Sequence, residues 1–275
     1  MSKVAFPITI VDHIDIGLNL EKIQNKLQSY YDEYEDDLYL LHKNKIDYIS
    51  KFTKIHNDEI YKNINFDFSS INLDNSILKT ISLFKPNRKR LISKYIIDIK
   101  NENFKIERIS ANNFLQPLAF VSDEKFDYRQ NERKFKELPD NLFDDDLRSM
   151  LKFVSFKIGR YTKKYKFAIT AHHTLIFCEN GRKSTNSPEG IHQDGMDFIM
   201  SAFVIDRQNI NGAKSIIYAN DKKTKIFETI LKNGQGIIQP DLNSELWHEV
   251  TEIYQININE VGYRSSVGFD IEVLQ

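Results

Sequence analysis

The sequence predicts an α+β chain, with a mostly helical front and a β-rich remainder of sandwich, barrel or jelly-roll type. Two observations carry this. Between residues 19 and 62, apolar side chains recur at three- and four-residue steps. From Lys166 to the C-terminus, short apolar segments alternate with turn-forming clusters.

The helical front places Leu20, Ile23, Leu27, Tyr30, Tyr31, Tyr34, Leu38 and Leu41 on one face. Asn19 is the expected N-cap, because its side-chain oxygen can accept a first-turn N–H. Leu18 stands where it can pack back onto that turn. The run "DEYEDD" reads as a solvated face, and "NINFDFSSINLDNS" as a loop. From Lys94 the period changes: "KYIIDIK" and "FKIERIS" alternate around "NEN", a hairpin pattern. "FLQPLAF" is expected as a further strand, edge or end, because Pro117 has no N–H to donate. The charged stretch "SDEKFDYRQNERKFKELPDN" is expected to cross the surface as a loop. Helical spacing returns in "LFDDDLRSMLKFVSFKIGRY", through Leu142, Leu147, Met150, Leu151, Val154 and Ile158.

The β half is expected to hold "KFAITAHHTLIFC", "DFIMSAFVID", "AKSIIYAN", "TKIFETIL", "GQGIIQP", "LWHEVTEIYQI" and "GYRSSVGFDIEVL". No linker or repeat divides the chain. The expected organisation is one domain over residues 1–275, in which a mostly helical region, residues 1–92, packs on a core of residues 93–275.

Composition narrows the setting. With 38 basic and 39 acidic residues the formal net charge is −1, which opposes a nucleic-acid-binding surface. A single cysteine, Cys178, excludes an intramolecular disulfide and fits a reducing, cytoplasmic location. The N-terminus lacks the apolar core and cleavage site of a signal peptide. No window approaches the roughly 18 consecutive apolar residues of a membrane span.

The densest chemistry lies in "NSPEGIHQDGMDFI". His192 and Asp194 form an H-x-D pair, and residues i and i+2 of a strand share a face. One nitrogen and one oxygen leave a divalent metal under-coordinated. His248, in "ELWHEVTEI", is the best candidate for the third ligand. Two imidazoles and a carboxylate with open positions suit non-haem Fe(II). The simpler alternatives are a polar turn capped by Asp194 and a packed histidine beside Trp247. Arg264, in "EVGYRSSVGFDIE", lies among small and apolar residues on the last long strand. A buried guanidinium needs an anionic partner. Either a bound carboxylate or a cross-strand pair with Asp270 or Glu272 would satisfy it.

His172 and His173 are adjacent, so at most one faces the interior, where it would line a pocket. Glu189 is a candidate contact for an ammonium group and Arg133 for a carboxylate. Gln193 is expected to point away from the ligand face, Asp197 to be solvated, and Cys178 to be buried in a strand.

The H-x-D pair, the distal histidine and the following arginine resemble the 2-oxoglutarate/Fe(II)-dependent dioxygenases. The fuller string "SPEGIHQDGMDF", with "GYR" near the end, is similar to their free amino-acid hydroxylases, the subfamily that includes bacterial L-isoleucine 4-hydroxylase. The resemblance spans roughly residues 110–275 and is strongest in Pro188–Phe198. It implies a double-stranded β-helix core, jelly-roll or cupin-like, with helices outside. It implies Fe(II) held by His192, Asp194 and His248, and 2-oxoglutarate held through Arg264. O2 would be the oxidant, with ascorbate helpful in vitro. The implied reaction hydroxylates an unactivated C–H of a small substrate, a free L-amino acid, and releases succinate and CO2. Related halogenases replace the carboxylate ligand with a small residue, so Asp194 favours hydroxylation. The alternatives are a non-catalytic jelly-roll metabolite-binding protein, a related oxygenase acting on a peptide or nucleobase, and a zinc-dependent cupin-like enzyme. The expected partner is a small molecule, without nucleic acid or membrane. The helical region is expected either to cover the pocket or to build a homodimer interface.

Overall fold

A computed structural model describes residues 7–54, 58–100, 103–111, 113–121 and 128–274. The expected hairpin turn at 101–102 and residues 122–127 of the charged stretch lie outside the described residues. In chain order the strands are β1 (Thr9–Asp12), β2 (Glu35–Asp36), β3 (Arg88–Lys100), β4 (Asn103–Ile109), β5 (Phe120–Val121), β6 (Lys166–Cys178), β7 (His192–Gln193) and β8 (Phe198–Gln208). They continue as β9 (Ile210–Gly212), β10 (Lys214–Tyr218), β11 (Lys225–Ile230), β12 (Gln235–Pro240), β13 (Trp247–Val250), β14 (Ile253–Gln255) and β15 (Gly262–Val273). The helices are α1 (His13–Ile16), α2 (Leu20–Gln28), α3 (Leu38–Ile49), α4 (Asp58–Lys62), α5 (Asn75–Ser82) and α6 (Asp145–Thr162).

Strands β1, β12, β8, β15, β6, β3 and β2 form the long sheet in that order, with β4 paired to β3. Strands β11, β10, β13, β7 and β5 form the second sheet, and β14 pairs with β9. Pairing between the named strands is antiparallel. The chain is therefore mixed α and β, with large antiparallel sheets.

Alternation along the long strands sorts their side chains. On one face, Leu91, Tyr95, Phe167, Ile169, Phe269 and Ile271 pack with Leu147, Leu151, Val154 and Ile158 of α6. Full burial of such a side chain contributes roughly 1.5–3 kcal/mol, so this layer anchors α6 to the sheet. The other face meets the second sheet. There Ala202, Val204 and Ile237 pack with Ile217, and Ile176 and Cys178 pack with Ala213 and Val250. No described helix is long and apolar enough to cross a membrane.

The β segments expected from Lys166 onward all form strands, and "LWHEVTEIYQI" divides into β13 and β14. The helical front differs. Asn19 caps α2, its side chain accepting the Lys22 N–H at 3.0 Å. The chain then leaves the helix after Gln28 instead of continuing to residue 62. The cause is tertiary. Asp37 is buried against Arg88 of β3, with Arg88 Nη2 at 2.8 Å and Nε at 2.9 Å. That ion pair draws Glu35–Asp36 onto β3 as an edge strand, and Asp37 then caps α3 by accepting the Leu40 N–H. Helix α5 falls partly in the expected loop; Asp74 caps it and Ile81 is buried. "FLQPLAF" is not a strand. Phe114 makes one isolated bridge, to Arg133, and only Phe120 enters β5. Between them Pro117 and the exposed Leu115 and Leu118 line the outer part of a cleft.

Candidate functional site

His192 and His248 are cross-strand neighbours on β7 and β13, with ring centroids 4.2 Å apart. Asp194 follows two residues after His192 but lies beyond the end of β7. Its position is set by a turn rather than by strand alternation. Gly195 has φ +81°, and a Cβ there would lie 2.3 Å from the Leu118 carbonyl carbon, so only glycine fits. Asp241 Oδ2 accepts the N–H groups of Gly195 and Met196, at 2.7 and 3.0 Å. These contacts aim Asp194 back at the histidines. His192 Nε2 is 3.6 Å from Asp194 Oδ1, and His248 Nε2 is 3.3 Å from Oδ2. One ligand atom from each residue lies within 4.8 Å of the others.

The surroundings orient these groups. His192 Nδ1 donates to the Gly190 carbonyl at 2.8 Å, which leaves Nε2 as the free donor atom. Arg129 Nη1 donates to Asp194 Oδ1 at 2.8 Å, and Nη2 to the Gln193 carbonyl at 3.0 Å. Burial, with His248 and Arg129 nearby, pushes His192 down to about 4, so its ring is neutral at pH 7. Burial opposes charge on Asp194, but the bond to His248 and the charges of His192, His248 and Arg129 outweigh it. They hold the carboxyl well below its ordinary value. Burial also opposes charge on His248, and its bond to Asp194 outweighs that and raises it. Two imidazole nitrogens and one carboxylate oxygen, converging and screened from solvent, fit a divalent metal such as Fe(II).

The triad opens on a cleft of about 90 Å³. Its far wall is the long sheet, where Thr174, His172, Ser266, Gly268 and Asp270 face the triad. Arg264 continues that face beyond Ser266. It is 1% exposed, and its Nε and Nη2 have no hydrogen-bond partner. Asp270 does not pair with it, being bound instead by Gln116 and His172, each at 3.2 Å. The unpartnered nitrogens of Arg264, on the sheet face that Ser266 shares with the cleft, fit an incoming carboxylate.

The remaining expected residues separate. His172, Glu189 and Arg133 line the cleft. His173 does not: strand alternation turns it to the opposite face, among Leu27, Met150 and Val267, and neither ring nitrogen has a partner. Gln193 points away as expected, donating to the carbonyls of Asp241 and Leu246. Asp197 is structural, accepting the Val273 N–H. Cys178 is buried in β6. Sequence reasoning missed Arg129, Gln116, Arg90 and Asp241. Arg129 sits in a charge run expected at the surface, yet it is 3% exposed. Only Asp241, an acidic residue after the apolar "GIIQP", carried any local signal.

A family model described as 2OG-Fe dioxygenase matches residues 68–270. The crystal structure of a bsmA homolog (Mpe_A2762) from Methylobium petroleophilum PM1 is similar, with a TM-score of 0.68 at 15% identity, covering 97% of this chain and 88% of that one. The crystal structure of IDO from Bacillus thuringiensis gives a TM-score of 0.51 at 14% identity, over 72% of this chain and 82% of that one. At these identities the likeness is one of fold. The chain has no significant match among curated proteins.

Proposed function

The chain belongs to the 2OG-Fe dioxygenase family, and from that premise we propose that it hydroxylates an unactivated C–H of a free L-amino acid, converting 2-oxoglutarate to succinate and CO2. The observation that carries this reading is the His192–Asp194–His248 cluster, set in a cleft lined by Ser266, with the buried Arg264 two residues before it on the same strand face and its Nε and Nη2 unpartnered.

His192, Asp194 and His248 would hold Fe(II), and Arg264 would take the distal carboxylate of 2-oxoglutarate. Bound Fe(II) supplies the redox chemistry that couples O2 to decarboxylation of 2-oxoglutarate and to hydroxylation. The chain's residues do the rest. Arg129 engages Asp194 Oδ1 and leaves Oδ2 toward His248. The buried walls limit water access to the reacting groups. Asp270, Arg90 and Arg133 all line the cleft, so it presents both signs of charge, which suits a zwitterion. A second chamber of about 360 Å³ shares Asp270 with the first and is lined by Ile92, Phe114, Leu118 and Met196. It gives the substrate room beside the co-substrate. The facing sheets, with the two histidines on one and Arg264 on the other, support reading the core as a double-stranded β-helix.

The test is aerobic turnover with Fe(II), 2-oxoglutarate, ascorbate and a pool of free amino acids, followed by mass spectrometry. Succinate and one amino acid gaining a single oxygen, both lost in His192→Ala, is the expected result. Succinate without any oxygenated amino acid would remove the amino-acid assignment. No succinate from iron-loaded protein would remove the enzymatic one.

A further inference from the structure

The sheet face that carries Arg264 holds more positive charge than a single carboxylate receptor needs. Arg264 of β15 and Arg207 of β8 are directly opposite in antiparallel register, so both side chains stand on the sheet face that lines the cleft. Like charges opposite one another on a sheet are destabilising. Among the described residues, neither guanidinium is paired with a carboxylate. Arg207 Nη2 donates to the Gly212 carbonyl at 2.9 Å, while its Nη1 is buried without an acceptor. Arg264 Nη1 reaches Ser266 Oγ only at 3.5 Å, and its Nε and Nη2 are also orphaned. Across the gap, Ser215 of β10 pairs with Val250 and shares its inward face. Its hydroxyl is buried without a partner as well.

Three guanidinium nitrogens on this sheet face thus lack acceptors, and so does the Ser215 hydroxyl on the facing sheet. Buried donors carry their full desolvation cost unless something accepts from them. Burial, and after it the charge of Arg207, lower Arg264 to about 9, so two cations side by side are poorly supported there. An anion with several lone pairs resolves all of this at once.

We propose that Arg207 is a second guanidinium of the co-substrate seat, so that the distal carboxylate of 2-oxoglutarate is shared by Arg264 and Arg207, with Ser215 donating from the facing sheet. This rests on reading Arg264 as the carboxylate receptor of a 2-oxoglutarate enzyme. The ligand then does more than dock: it neutralises a repulsive pair built into the fold.

The test uses the full chain loaded with Mn(II), with 2-oxoglutarate binding measured by calorimetry and Mn(II) affinity measured separately. Wild type, Arg207→Gln, Arg207→Lys and Arg264→Gln are compared. Arg207→Gln is expected to weaken 2-oxoglutarate by about tenfold or more, as loss of one close charge pair does, with Mn(II) affinity unchanged. Arg207→Lys, which keeps the charge, is expected to recover part of the loss. Arg264→Gln is expected to abolish binding. Arg207→Gln binding 2-oxoglutarate within twofold of wild type would overturn the proposal while leaving the Arg264 assignment intact. Parallel loss of Mn(II) binding in Arg207→Gln would overturn it too, by showing a structural role for Arg207. Wild-type affinity in Arg264→Gln, or no binding by wild type, would overturn the underlying reading instead.

Discussion

Asp241 Oδ1 lies 3.8 Å from Nδ1 of His248, while the other oxygen of the same carboxylate holds the turn that aims Asp194. One buried side chain therefore braces both segments that carry the triad. Neither Asp241 Oδ1 nor His248 Nδ1 has a hydrogen-bond partner. A carboxylate this near the outer nitrogen stands where it could orient the imidazole if His248 holds a metal.

Asp241→Ala is accordingly expected to weaken divalent-metal affinity by about 10–100-fold. Titration of the purified protein with Mn(II) or Co(II) checks this. Affinity equal to wild type would mean that the triad holds its geometry without the brace.

Gly195→Ala is expected to cost more than its single methyl suggests. The left-handed backbone alone costs on the order of 1–3 kcal/mol in a non-glycine residue, and the Cβ would overlap Leu118 backbone atoms. Urea unfolding should show the lost stability, and metal titration should show a displaced Asp194. Unchanged unfolding would contradict the close approach of the two loops.

Arg129 and Asp194 form a buried ion pair beside Glu189, which lies 3.8 Å from Arg129 Nε. Removing one partner of such a pair strands the other charge, so Arg129→Leu is expected to lower unfolding free energy by about 3 kcal/mol. The denaturation midpoint in metal-free buffer is the measurement, because bound metal would mask the loss by mass action.

His173 sets a pH dependence away from the site. Burial, with His172 next, pushes it down to about 3 from an ordinary value of 6.5. The unfolded chain takes up this proton near pH 6.5, and the folded chain only near 3. The stability from keeping the ring neutral is thus complete above about pH 6.5 and is lost progressively as pH falls toward 3. His173→Leu removes two unpartnered nitrogens and is expected to flatten this acid limb without loss of stability at pH 7.5. Thermal melts of both proteins across pH 4–8 decide it; parallel curves would show that other groups govern the limb.

Much of the architecture was legible from local pattern. Strand β6 covers the expected "KFAITAHHTLIFC", and α6 buries Leu147, Met150, Leu151, Val154 and Ile158 as its spacing requires. Helix α5 was missed because it is short, although Asp74 followed by Ile77, Leu78 and Ile81 was a readable start and stripe. The break after α2 was not readable, since it depends on Arg88, which lies 51 positions beyond Asp37.

For the site, residue type and spacing pointed to His192, Asp194, His248 and Arg264 as candidates, and the fold brings the first three within 4.8 Å of one another. The strand-face argument joined His192 to Asp194 for an incomplete reason, since a glycine turn places the carboxylate. What the sequence by itself determined was therefore the alternation and helical spacing of the elements and the chemical identity of the cluster, both properties of neighbouring residues. The tertiary structure alone decided which of His172 and His173 entered the cleft, that Arg129 and Arg133 left a charged run to become buried, and that Asp241 served two ligand segments. Burial and charge pairing depend on what the rest of the chain brings into contact. No window of sequence contains that information.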